Sequence, residues 1–224
     1  MPYLSERVTV VCGHYGTGKT NFSINLAIRC AEEGERVTLI DMDVVNPYFR
    51  SSDYAEALTA KGVRVLGPNF ANSNLDTPSL PAAIGDAILE GERVIIDVGG
   101  DDAGATALGV YSRQLSGADP DVMYVVNRYR SQTTTPEEAV EILREIERAA
   151  RIRARCIVNN SHLKQLTDAD TVLASVPFAK KVSELTGLPI RFTAVPAGVD
   201  LLNKIPNIMP VDVYVRAPWE KAGN

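Results

Sequence analysis

The sequence has few cysteines, no long apolar run and no excess of basic charge, and each absence closes off a class of protein. Cys12, Cys30 and Cys156 are the only cysteines in 224 residues, odd in number and far apart. No disulfide framework and no C-x-x-C metal site can be built from them, so a reducing cytoplasmic compartment is expected. No segment reaches the ~18 consecutive apolar residues of a membrane span. The first strand-like run starts at Val8, so no signal peptide is expected, and no membrane partner. Net charge is −5, which argues against a surface built for nucleic acid. Linkers and shifts of composition are also missing, so residues 1–224 read as a single domain with the tail 200–224 packed on it. With 45% hydrophobic and 23% charged residues the chain can bury a core unaided, which excludes disorder.

Short apolar runs alternate with helix-length segments. Strands are expected at Val8–Cys12, Val37–Asp41, Val63–Leu66, Val94–Val98, Asp121–Asn127, Cys156–Asn159 and Ile190–Val195, the last taken as the final core strand. Helices are expected from Gly18 to about Glu33, from Ser51 or Ser52 to Gly62, from about Leu80 to Glu90, and from Ala103 to Ser116. Another starts at the capping box Thr135-Pro-Glu-Glu138 and runs to about Ala150. Two shorter helices are expected between Asp168 and Thr186, interrupted near Pro177. Strands apolar on both faces, each followed by a helix, imply a three-layer α/β fold: a mostly parallel central sheet covered by helices. The tetrapeptide Gly-Glu-Arg-Val occurs at Gly34–Val37 and again at Gly91–Val94, each time at a helix-to-strand junction, as one loop solution used twice.

Gly13-His14-Tyr15-Gly16-Thr17-Gly18-Lys19-Thr20 matches G-x-x-x-x-G-K-[ST] between an expected strand and an expected helix. The glycines let backbone N–H groups curl around phosphate oxygens, and the helix N-terminus adds about half a positive charge. Lys19 would reach the β- and γ-phosphates and the Thr20 hydroxyl would ligate Mg²⁺, with Asn21 beside them. Asp97 ends an apolar strand and is followed by Gly99 and Gly100, a carboxylate fused to a glycine loop that can approach a γ-phosphate. Asp101 and Asp102 follow, either to position water or as loop charge and helix capping. Asp41 and Asp43 lie at i, i+2 on a strand end and share one face, toward the same magnesium shell. Asn46-Pro-Tyr-Phe-Arg50 is either a first switch or a plain Asn-Pro turn. Arg128 and Arg130 are either charge stabilisers in the crevice or surface residues, and Trp219 is read as an anchor for the tail.

These motifs, with Ile157-Val-Asn159 and Val195-Pro196-Ala197, resemble the SIMIBI class of P-loop proteins across most of the chain. That class holds the MinD/ParA ATPases, the nitrogenase iron protein and the CobQ/CobB/dethiobiotin-synthetase relatives. The likeness is strongest to ATP-binding members with GHYGSGKT-like and DxDxVNPYFR-like motifs. The resemblance implies that Asn159 bonds the adenine edge and that Pro196 and Ala197 line the base. It also implies that Asp43 or Asp101 orients the attacking water. Dimeric members carry a second lysine early in the loop; His14 stands there, shorter and without fixed charge at pH 7, so a homodimer is left open. The cluster-bridging cysteines of the iron protein are missing. Asn159-Asn160-Ser161-His162 lacks the carboxylate of guanine-reading Asn-Lys-x-Asp, which favours ATP. Two functions follow. One is a Mg²⁺-dependent ATPase that switches a protein partner. The other is an ATP-dependent small-molecule kinase or ligase of the dethiobiotin-synthetase or CobB kind, with Asn69–Asp76 lining a second pocket.

Overall fold

The computed structural model describes residues 4–43, 50–67, 82–100, 102–163, 166–201 and 204–215. Asp101, residues 46–49 of the candidate first switch, the candidate pocket segment 69–76 and Trp219 lie outside the described residues.

Among the described residues eight parallel strands form one sheet: β1 (Val8–Cys12), β2 (Val37–Met42), β3 (Val63–Leu66), β4 (Arg93–Val98), β5 (Asp121–Val126), β6 (Cys156–Asn159), β7 (Ile190–Pro196) and β8 (Ile208–Val211). Their spatial order is β3-β2-β4-β1-β5-β6-β7-β8. The chain passes from β4 to β5 across β1, so the strand order reverses around β1, and ligands of such sheets bind at the carboxyl ends beside that reversal.

Side chains alternate across the sheet as the two-residue strand period demands. Val8, Val10 and Cys12 of β1 join Val94, Ile96 and Val98 of β4 in the core under α3 (Ala83–Glu90), α4 (Asp102–Val110), α5 (Ser112–Ala118), α6 (Pro136–Ala150) and α7 (Ala169–Thr186). Val11 and Ile95 face the opposite core, covered by α1 (Lys19–Glu32) and Leu58 of α2 (Ala55–Thr59). All three cysteines are free and buried, and desolvation pushes the thiols of Cys12 and Cys156 up to about 12. The two Gly-Glu-Arg-Val copies lie side by side where β2 and β4 begin. They ion-pair reciprocally, Glu35 with Arg93 and Arg36 with Glu92.

Four features differ from the pattern read in the sequence. The segment 168–186 is one helix, not two. Pro177 sits on its exposed side, and carbonyls of the preceding turn find side-chain donors. Thr171 O accepts from Tyr129 Oη at 2.7 Å, Val172 O from Ser175 Oγ at 2.7 Å, and Ala174 O from Arg128 Nη1. Pro177 cannot donate to Leu173 O, and these donors hold the carbonyls on either side of it. Second, β7 is followed by β8, which tolerates Pro210 because it is the sheet's edge strand. Third, Tyr111 at ψ 13° divides the helix expected over 103–116 into α4 and α5. Fourth, the helix expected from Ser51 is a 3-10 turn (Ser51–Tyr54) leading into the five-residue α2.

Candidate functional site

The loop between β1 and α1 is built by its glycines. Gly16 and Gly18 hold φ of 73° and 85°, left-handed values that suit a residue without Cβ. A Cβ on Gly13 would stand 2.4 Å from Val125 O, and one on Gly18 2.4 Å from Asn160 Nδ2. α1 starts with no side-chain cap and no acidic residue in its first turn, so its N-terminal N–H groups face the loop uncompensated. Lys19 is buried and its Nζ donates to His14 O at 3.0 Å; Thr17 Oγ1 donates to the same carbonyl at 2.9 Å. The His14 ring is hydrogen-bonded to Gln132, and Tyr15 is exposed. Asn160, unremarked in the sequence reading as a loop partner, donates Nδ2 to Thr17 O at 2.8 Å and fixes the loop from β6.

Strand register places the acids. Asp41 and Asp97 are paired neighbours on β2 and β4, both buried. Asp97 accepts from Ser23 Oγ at 3.3 Å and from the Thr20 hydroxyl. Desolvation first, and then the Asp41 charge, push its carboxyl up to about 7; Lys19, Thr20 and Ser51 oppose the rise. The Ser51 hydroxyl is buried next to it without a well-aligned hydrogen bond. Thr20, Asp97 and this orphaned hydroxyl are hard oxygen donors on one side of the loop, a set that fits Mg²⁺.

The other expected ligands are tied to protein groups. Both carboxylate oxygens of Asp41 are engaged by the protein. Oδ1 accepts from Asp43 N at 2.9 Å; Oδ2 accepts from Ser52 Oγ at 2.6 Å and Ser52 N at 3.1 Å and pairs with Arg50 Nε at 3.3 Å. Asp41 thus clasps the two ends of the segment that runs from Asp43 to Ser52. Asn159, expected at the adenine edge, is fully buried. It accepts from Ser161 Oγ and donates to Ser175 Oγ, each at 2.8 Å. Asn21 holds the chain after β8, donating to Asp212 O and accepting from Tyr214 N and Val215 N. Pro196 ends β7 and Ala197 N bonds Val211 O at 2.9 Å, on the carboxyl edge of the sheet. Asp102 begins α4 as its first-turn acid.

The loop after Asp97 presses against the phosphate loop. A Cβ on Gly100 would lie 2.6 Å from Tyr15 Cα and 2.9 Å from Lys19 Nζ. One on Gly99 would lie 3.4 Å from both Cα and Oδ1 of Asp43. Lys19, Gly100, Gly99 and Asp43 are therefore brought together from three elements.

The raised Asp97 carboxyl has a measurable consequence. Its folded pKa lies above the ordinary value of 3.8, so the ligand-free fold is most stable below about pH 4 with respect to this group, and loses that contribution as pH rises through about 7. Melting temperatures of the parent should fall over about pH 4–7 relative to Asp97→Asn, and parallel curves would refute the shift.

Residues 8–189 match the model of the CobQ/CobB/MinD/ParA nucleotide binding domain. Among solved structures, FtsY from Mycoplasma mycoides superposes with a TM-score of 0.58 at 18% identity, covering 85% of this chain and 60% of that one. The signal recognition particle 54 kDa protein from Aeropyrum pernix K1, in complex with GDP, gives 0.54 at 19%, over 86% and 42%. Chloroplast FtsY from Physcomitrella patens gives 0.55 at 21%, over 88% and 61%. The chain thus spans about 60% or less of these relatives, and at such identities the likeness establishes the fold. No curated protein sequence matches the chain significantly.

Proposed function

The chain belongs to the CobQ/CobB/MinD/ParA nucleotide-binding family, and on that premise we propose that it is a Mg²⁺-dependent ATPase acting as a nucleotide-driven switch for a protein partner. The observation that carries this reading is the contact of Gly100 with both Tyr15 and Lys19. A loop touching the phosphate-binding backbone and its lysine must respond when a γ-phosphate fills that space. The same loop follows β4, which carries Asp97, and leads into α4, so the response passes to the surface through a helix.

In this reading the loop N–H groups, the start of α1 and Lys19 bind the phosphates. Thr20, Asp97 and Ser51 would hold Mg²⁺, which when bound neutralises charge on the phosphate oxygens. Asp43 accepts a proton from, or orients, a water molecule. The water oxygen bonds to the γ-phosphorus, the bond from that phosphorus to the β–γ bridging oxygen breaks, and nucleoside diphosphate and phosphate result.

Adenine is favoured because no carboxylate stands in Asn159–His162, and the nearby Asp168 is engaged in capping α7 through Thr171 N at 2.8 Å. Mg²⁺-ATP should bind at least ~10-fold more tightly than Mg²⁺-GTP, about 1.4 kcal/mol. Titration with both nucleotides checks this, and equal or reversed affinities would sink the base assignment. The switch itself is tested by amide hydrogen exchange over 98–104. Protection is expected with a non-hydrolysable ATP analogue and not with ADP; identical protection by the two would overturn it.

A further inference from the structure

The turn after β5 presents two arginines, and the structure separates them. Its backbone is held internally: Tyr129 N donates to Asn127 Oδ1 at 3.0 Å, Thr133 Oγ1 to Asn127 O at 2.8 Å, and Thr133 N to Arg130 O at 3.0 Å. Asn127 and Thr133 are buried, and Gln132 ties the turn to the phosphate loop through the His14 ring. Arg128 faces α7, where it bonds Ala174 O and lies 5.4 Å from the Tyr129 ring centroid. Arg130 faces the phosphate loop. A Cβ on Gly16 would meet Arg130 Nε at 3.3 Å, Cζ at 3.4 Å and Cδ at 3.6 Å.

Arg130 Nε is buried and has no hydrogen-bond partner among the described residues. A buried guanidinium N–H without an acceptor is costly, and native proteins rarely leave one. The acids of the site do not answer it. Asp41 is engaged by Arg50 and Ser52, and Asp97 by Ser23 and Thr20. The group that would complete it is an oxyanion in the loop at Gly16, and a planar fork of donors matches phosphate oxygens.

We propose that Arg130 is a built-in charge stabiliser of triphosphate hydrolysis, supplied by this chain's own β5 turn. This rests on the nucleotide-hydrolysing reading above. A bound triphosphate gives Arg130 the acceptor it lacks. Its charge then bears on the phosphate oxygens while the water oxygen bonds to the γ-phosphorus and the bond to the bridging oxygen breaks. The water's proton passes to a carboxylate or to solvent as diphosphate and phosphate separate. The chain therefore needs no arginine from a partner to hydrolyse nucleotide, and a partner reads the state of the site without completing it.

The test uses the full chain with Mg²⁺-ATP and the variants Arg130→Ala, Arg130→Lys and Lys19→Ala. Single-turnover phosphate release is measured, together with ADP affinity in the presence and absence of aluminium fluoride. Arg130→Ala should hydrolyse about 10³-fold more slowly, the lower end for an arginine of this kind. Its ADP affinity should stay within about threefold of the parent, and the tightening by aluminium fluoride should vanish. Arg130→Lys keeps the charge but not the fork and should recover a minor part of the rate; it also serves if Arg130→Ala fails to fold. A parent-like rate in Arg130→Ala, or a loss of ADP affinity as large as the loss of rate, overturns the proposal. Lys19→Ala separates the two levels. If it too hydrolyses ATP normally, the hydrolase reading falls; if Lys19 matters and Arg130 does not, only the role of Arg130 falls.

Discussion

Lys19→Ala will hydrolyse ATP at least ~10²–10³-fold more slowly than the parent, the cost of removing one donor aimed at developing charge, and will lose more affinity for triphosphate than for diphosphate. The amine is buried and held at 3.0 Å from His14 O, with Gly100 pressed against it, so it is already placed at the meeting point of the two loops. Its charge also opposes the rise of the Asp97 carboxyl. Without it two buried carboxyls, Asp97 and Asp41, face each other with less compensation. The Asp97 carboxyl should then rise further, so a proton competes more strongly for it and magnesium binding should depend more steeply on pH than in the parent. Phosphate release under single turnover and a magnesium titration at two pH values measure both effects. A variant that turns over at the parent rate would mean that Gly13–Thr20 is not a working phosphate loop.

Asp43→Asn should slow hydrolysis by ~10²–10⁴-fold, the range for a general base, while leaving nucleotide binding largely intact. Asp43 is anchored through its own N–H to Asp41 Oδ1 at 2.9 Å, and its carboxylate borders Gly99 in the loop that touches Lys19. A side chain on a strand end held in this way keeps its aim better than one on a glycine-flanked loop. Asp101→Asn, the competing change, should mostly weaken magnesium affinity. Single-turnover rates at saturating Mg²⁺ separate the two. Parent rates in both variants would show that neither acid is catalytic and that the water is placed by backbone or by a partner.

The parts of this protein readable from the chain are those in which adjacent residues carry the whole signal. The phosphate loop is eight consecutive residues, and its geometry follows from where the glycines fall, so Gly16 and Gly18 adopt the left-handed conformations such a loop needs. The central strands are short, mostly apolar runs, and the α6 start is a local capping box, with Thr135 Oγ1 accepting from Glu138 N and Pro136 in the first turn. β8 escaped notice because four residues with a central proline look like a broken tail until an edge is available to receive them. Pro177 misled for a related reason: donors from Tyr129 and Arg128, over forty residues away, support the turn that proline weakens.

Side-chain partners divide the same way. Sequence determined that this is a parallel α/β nucleotide-binding fold, where its phosphate loop lies, and which acids end which strands, because strand period, glycine placement and helix capping are local. Only the tertiary structure decided how those polar groups are used. Asp41 is bonded to Arg50 and Ser52 and Asn159 to Ser161 and Ser175, while Arg130 is brought to Gly16 with its Nε unanswered. A buried polar atom must find a partner, and which atoms come within reach of one depends on strand order and on the paths of distant turns, which no local window of sequence contains.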